Sequence, residues 1–98
     1  MTVNHKLTGV LKGRIVQSIQ VNASEVSIGF FDGYAMKIKI MESNSPPLRE
    51  QAHIRSISED QAKLLIECED NSAFNVTLSE PGNAVSVRDK NYLIEYLG

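Results

Sequence analysis

Few side chains in this chain can do chemistry, and most stand at spacings that suit structure better than catalysis. Cys68 lies on the core side of its predicted strand, opposite the position that Phe30 takes earlier in the chain. A thiol buried among apolar groups is inert, because the nucleophile is the thiolate and thiolate needs a nearby base and access. His5 and His53 are the only two histidines, 48 residues apart, and no second cysteine accompanies them. No zinc-type ligand spacing exists, so neither a metal nor a cofactor is expected. Glu67 and Glu69 alternate with Ile66 and Cys68 and therefore point outward from one strand face. Their Cα atoms would lie about 6–7 Å apart, a separation that acid–base work accepts and that any acidic strand face also provides. Asp32 and Asp70 fall in turns, where Asp accepts bonds from nearby backbone N–H groups. Gly-rich phosphate loops, nucleophile elbows and Ser/His/Asp orders are absent from the sequence.

A surface constellation remains. Phe31 and Tyr34 flank a turn, and Lys37 and Lys39 follow on the outward side of the next strand. With Arg14 they could stack on bases and meet phosphates. The corresponding outward positions later in the chain carry Leu65, Glu67 and Glu69. Opposite charges on two similar surfaces could pair between copies, or serve only to protect sheet edges. The candidate interaction surface is thus Phe31, Tyr34, Lys37, Lys39, Glu67 and Glu69.

The element that must position these residues is the stretch VSIGFFDGYAMKIKI, Val26 to Ile40. Val26, Ile28 and Phe30 alternate with Ser27, Gly29 and Phe31, and Met36, Ile38 and Ile40 alternate with Lys37 and Lys39. Such period-2 alternation marks two half-buried strands. Parity then decides the turn. A two-residue Asp32-Gly33 loop would pair Ile28 with Lys37 and leave neither face apolar. A three-residue loop, Phe31-Asp32-Gly33, pairs Phe30 with Tyr34, Ile28 with Met36 and Val26 with Ile38. It also puts Gly33 at the left-handed position of a type I turn with a bulge.

A gapless match at an offset of 38 residues extends this pattern. Residues 16–42 lie over 54–80 with six of 27 positions identical: Ser18/Ser56, Ile19/Ile57, Ile28/Ile66, Asp32/Asp70, Ala35/Ala73 and Glu42/Glu80. Apolar character is kept at Val16/Ile54, Val26/Leu64, Met36/Phe74, Ile38/Val76 and Ile40/Leu78. Asn71 stands where Gly33 stands, and Asn also tolerates the left-handed conformation. Two similar units are expected, at about 14–42 and 52–80. Duplication and the shared grammar of amphipathic meanders account equally well for the match.

Around these units the chain reads simply. Residues 3–12 form a short helix or turn, with Asn4 as cap, Leu7, Val10 and Leu11 as the apolar stripe and Gly13 as the end; an edge strand is the alternative. Arg14 to Val21 is a strand. Met41 to Glu50 is a crossover, in which Asn44 and Ser45 favour a turn and Leu48 to Gln51 could make a helical turn. After the Pro81-Gly82 turn a C-terminal hairpin spans about 84–97, with Asn91 expected in the left-handed position of its loop. Either Leu93 or the Ile94/Tyr96 pair could face the core.

Composition sets the remaining bounds. Ninety-eight residues make one domain, 1–98, with 42% hydrophobic and 22% charged residues. The lone cysteine excludes an intramolecular disulfide and fits a reducing compartment. The N-terminal residues lack the apolar run of a signal peptide, and no stretch is long enough for a membrane span. A cytoplasmic protein of bacterial style, without membrane contact, is expected. Net charge is −2, with +2 in residues 1–48 and −4 in residues 49–98. Neither half has the basic field of a nucleic-acid surface.

Leu11-Lys12-Gly13-Arg14-Ile15, Phe31-Asp32-Gly33, Met36, Val87-Arg88-Asp89 and Glu95-Tyr96 together carry a resemblance. The chain resembles small bacterial all-β domains of unknown function, with an "lkGr.I" opening and a "VRD....leY" ending. The resemblance implies no activity. The expected fold is all-β, with about eight strands in two similar antiparallel β-meander units forming a sandwich or partly open barrel, plus one short N-terminal helix. The leading functional reading is a non-enzymatic protein-binding or assembly module, self-association included. The alternative is a single-stranded nucleic-acid-binding β-barrel. A small enzyme built on Glu67, Glu69 and a histidine comes last.

Overall fold

A computed structural model describes residues 1–43 and 46–98 of the chain. In order, its elements are β1 (Thr2–Val3), α1 (His5–Leu11), β2 (Val16–Val21), β3 (Glu25–Phe30), β4 (Ala35–Ser43), β5 (Ile54–Asp60), β6 (Lys63–Cys68), β7 (Ala73–Leu78), β8 (Val85–Arg88) and β9 (Ile94–Leu97). The strands form one antiparallel sheet in the order β1-β5-β6-β7-β4-β3-β2, with β8 on β4 and β9 on β8. It is curled into a half-barrel, and an isolated bridge between Ile15 and His53 ties β2 back toward β5. Curling buries one face of the central strands β3 to β8 without a second layer of helices.

Period-2 patterning places the core. Val26, Ile28 and Phe30 of β3, Met36, Ile38 and Ile40 of β4, Leu64, Ile66 and Cys68 of β6, and Phe74, Val76 and Leu78 of β7 are all buried. Each such apolar side chain stabilises the fold by roughly 1.5–3 kcal/mol of transfer free energy, before the chain entropy it opposes. The hairpin register is the one that parity demands: Ile28 opposes Met36 and Val26 opposes Ile38. The Phe30 amide donates to Tyr34 O (2.9 Å), the Gly33 amide donates to Phe30 O (3.0 Å), and Gly33 has φ +90°. The second unit closes the same way, with Cys68 N–H on Ser72 O, Asn71 N–H on Cys68 O and Asn71 at φ 67°.

The two units also meet each other symmetrically. Ile40 pairs with Leu78, and Ile15 with His53; each pair joins a residue to the position 38 further on. Around the second pair, Val16 N–H bonds Ala52 O (2.8 Å) while Ile54 N–H bonds Arg14 O (3.0 Å). Phe31 N–H bonds Ile15 O, and Glu69 N–H bonds His53 O. These reciprocal bonds relate the units by an approximate two-fold axis through both pairs.

The N-terminal segment is both helix and edge strand, because β1 pairs with β5 before α1 begins. Asn4 Oδ1 accepts from Leu7 N–H (2.9 Å), the expected N-cap. Thr8 and Gly9 are poor helix formers, yet Leu7 and Leu11 are fully buried. Thr8 Oγ1 also accepts from Ile57 N–H (3.0 Å) and donates to Ile57 O (3.2 Å). Tertiary contacts thus override propensity.

Four expectations need correction. The strand expected from Arg14 begins at Val16, because Arg14 O and the Ile15 bridge tie the preceding residues to β5. β4 runs on through Ser43, past Met41, because Glu42 and Ser43 pair with Thr77 and Val76. No helical turn forms at Leu48 to Gln51. Leu48 is drawn into the core, and Gln51 N–H bonds Val16 O (2.6 Å), which holds this segment extended until a tight turn with Gln51 at φ 68°. In the last hairpin the left-handed residue is Tyr92, φ 65°, and not Asn91. Asp89 N–H bonds Leu93 O and Tyr92 N–H bonds Asp89 O, so Asn91 takes the place of Asp32 and Asp70. The Asp89 carboxylate sets this frame by accepting from Asn91 N–H (2.8 Å) and Leu93 N–H (3.0 Å). The turn expected at Asn44-Ser45 lies outside the described residues.

Candidate functional site

The β8–β9 hairpin has no counterpart in the second unit among the described residues, and it breaks the two-fold relation. β8 pairs with β4 so that Met36 opposes Val87 and Ile38 opposes Val85, an apolar row that continues the core. The alternate residues face outward in two rows across the sheet. One row runs Gly29, Ala35, Arg88, Ile94; the next runs Ser27, Lys37, Ser86, Leu97. Small side chains thus occupy the middle of this face, cations stand on β4 and β8, and aliphatic groups sit on β9.

Two adjoining grooves follow these rows. The first encloses about 220 Å³ and is lined by Gly33, Ala35, Lys37, Ser86, Arg88, Asp89 and Tyr92. The second, about 210 Å³, shares Lys37 and Ser86 and continues past Lys39 and Glu25 to Leu97. Lys37 and Arg88 are diagonal neighbours, about 7–8 Å apart at Cα. Neither has an ion-pair partner among the described residues. Arg88 Nη1 donates to Tyr92 O (3.0 Å), which fastens the loop over the groove.

Tyr92 itself is unusual. A bulky residue at positive φ is strained, and Tyr92 is 80% exposed, so the strain is not offset by burial. Leu93, Ile94 and Leu97 are 64%, 50% and 62% exposed. Tyr96 turns inward, where its hydroxyl accepts from Asn4 Nδ2 (2.9 Å). Neither expected alternative holds whole: Tyr96 alone faces the core, while Leu93 is exposed and Ile94 joins the outer row, because the register shift between Val87 and Arg88 breaks the alternation of β9. Two hairpin tips interlock at the groove's end: a Cβ on Gly33 would lie 2.7 Å from Lys90 Cβ.

The sequence-derived surface residues separate into three places. Lys37 and Lys39 stand on the outer face just described, although Lys39 Nζ is engaged with Glu80 Oε2 at 3.3 Å. Phe31 and Tyr34 lie at the β3–β4 tip. The Arg14 guanidinium stacks on the Tyr34 ring, 3.3 Å from its centroid, donates from Nε to Val10 O (2.8 Å) and pairs with Asp32. Phe31 remains 55% exposed beside Gly13, Arg14 and Ile15. The residues that carry the resemblance at Gly13-Arg14-Ile15 and Phe31-Asp32-Gly33 thus build a knot between helix end and hairpin tip. Glu67 and Glu69 belong to the other unit, away from the lysines, and Glu67 Oε2 accepts from Arg55 Nη2 at 3.1 Å.

The remaining chemical candidates are placed as follows. Cys68 is fully buried, and burial pushes its thiol pKa up, with the Ser72 hydrogen bond acting in the opposite sense. Glu69 and His53 are joined through the backbone, and both side chains are exposed. Asp70 accepts from the Ser72 hydroxyl and amide, and these bonds lower its pKa. Among the described residues no group of three or more His, Cys, Asp and Glu is arranged to hold a metal ion, and no helix is long and apolar enough to cross a membrane.

No family model matches the chain, and neither a curated protein nor a solved structure matches it.

Sequence reading missed Arg88, Tyr92, Leu93, Ile94 and Leu97. A signal was present in YLIEYL, a strand apolar on both faces. Such a strand needs cover on both sides or leaves one side bare.

Proposed function

We propose that this protein is a non-enzymatic protein-binding module that engages its partner through the terminal β8–β9 hairpin. The carrying observation is the concentration of exposed apolar side chains on the outermost hairpin, Tyr92 and Leu93 in its turn and Ile94 and Leu97 on β9. Scattered exposed hydrophobics need no explanation, but a contiguous group on a sheet edge favours association. The positive φ of Tyr92, held by the Asp89 and Arg88 hydrogen bonds of its own loop, fixes a bulky ring in an exposed position at the end of this surface. Self-association is the simplest form of such binding.

The test is the size of the complex in extracts of the source cells. The wild-type chain is expected to migrate well above its own 10.9 kDa. The Ile94→Ser/Leu97→Ser chain is expected to migrate as a monomer with an unchanged far-UV spectrum. Monomeric wild type, or an undiminished complex in the variant, overturns the reading.

A further inference from the structure

We propose that the groove between β4 and β8 takes acidic side chains of the partner, so that the docking segment is an extended stretch alternating aliphatic and carboxylate residues. The inference rests on the protein-binding reading and names its partner's chemistry. Two observations carry it beyond exposed apolar surface alone.

The first is charge. The two grooves are lined by Lys37, Lys39 and Arg88 against Glu25 and Asp89, and of the three cations only Lys39 is held in an ion pair, with Glu80. The Asp89 carboxylate already accepts two backbone N–H groups of its own loop. Lys37 and Arg88 have no carboxylate on them among the described residues. A carboxylate between them would gain charge-assisted bonds from both, with Arg88 offering a planar fork.

The second is spacing. Lys37, Ser86 and Leu97 form one transverse row, and Ala35, Arg88 and Ile94 the next. Each row sets a small floor residue and an aliphatic group beside a cation. Neighbouring strands lie about 4.8 Å apart, so the cationic and aliphatic positions of one row are within about 10 Å. An extended chain repeats its side-chain direction about every 6–7 Å. Its alternate side chains point to opposite sides, so a chain lying edge-on in the groove turns its carboxylates toward Lys37 and Arg88 and its apolar groups toward Leu97 and the Tyr92 ring. The small residues Gly33, Ala35 and Ser86 let a backbone approach closely, and the Gly33–Lys90 contact holds the Tyr92 wall in place.

The experiment is fluorescence anisotropy with labelled octapeptides, (Val-Asp)4, (Val-Ser)4 and (Val-Lys)4, and with labelled oligo(dT). The acidic peptide is expected to bind most tightly. Its affinity should fall roughly tenfold in Lys37→Ala and again in Arg88→Gln, and weaken between about 0.01 and 1 M salt. Lys63→Ala, a lysine removed from another exposed strand, should leave it unchanged. Equal binding of all three peptides, no binding of the acidic one, or preferential binding of oligo(dT) overturns the proposal. Failure of this proposal is separable from failure of the protein-binding reading. A cellular complex that survives Lys37→Ala/Arg88→Gln intact, yet is lost in Ile94→Ser/Leu97→Ser, removes the acidic partner and keeps the hairpin surface.

Discussion

Replacing Gly33 by alanine tests how the two hairpin tips hold the proposed binding face together. Two costs can be worked out. Gly33 has φ +90°, where a Cβ meets its own backbone, at about 1–2 kcal/mol. The new Cβ would also lie 2.7 Å from Lys90 Cβ and 3.3 Å from Lys90 Cα. Those atoms belong to the root of Lys90 and cannot swing aside, so the β8–β9 turn must shift. Forcing extra volume into such a contact costs about 1–3 kcal/mol. The total is about 2–5 kcal/mol, a large share of the stability of a domain this size. Gly82→Ala supplies the control: φ is +87° there, and nothing lies within 4 Å of the added Cβ. It should show the conformational cost alone. With urea slopes of about 1–3 kcal/mol/M, an extra ~2 kcal/mol separates the two midpoints by roughly 1 M. Urea unfolding followed by far-UV circular dichroism measures both. Equal midpoints for Gly33→Ala and Gly82→Ala would refute the interlocked tips, and with them the support for Tyr92.

Tyr92→Asn should stabilise the free chain by about 0.5–1 kcal/mol, since Asn accepts positive φ, while weakening partner binding; urea midpoints and complex size read the two effects. Asp70→Asn should destabilise the chain at neutral pH and be neutral in strong acid. The Ser72 bonds depress the Asp70 pKa below its ordinary 3.8, so this stability is present above that value and is lost as pH falls through the depressed one; melts across acid pH follow it. Native Cys68 should react with iodoacetamide at mildly alkaline pH far more slowly than in urea, because burial both covers the thiol and raises its pKa.

Much of the fold was legible because its rules are local. Parity alone chose the three-residue turn at Phe31-Asp32-Gly33, and the 38-residue offset carried the same turn to Asn71. Asn4, Leu7, Leu11 and Gly13 announced the helix despite Thr8 and Gly9. The errors arose where distant partners decide the conformation. Gln51 bonds to Val16, and this pulled the crossover extended where local grammar favoured a helical turn. Asp89 captured two amides of its own loop and moved the left-handed position from Asn91 to Tyr92. The surface was only half legible. Lys37 stands on the candidate face, but Tyr34 is taken up by Arg14, and Glu67 by Arg55. Which strands flank Lys37 is a property of topology, and so Arg88 and Leu97 could not be joined to it from spacing.

Site-specific photo-crosslinking in the source cells tests the binding face most directly. A benzophenone side chain is placed in turn at Ile94, Leu97 and Lys37, and at the exposed control positions Met41 and Lys63. A discrete adduct is expected from the first three positions and none from the controls. Adducts of equal yield from Met41 and Leu97, or none from the hairpin, would contradict the account.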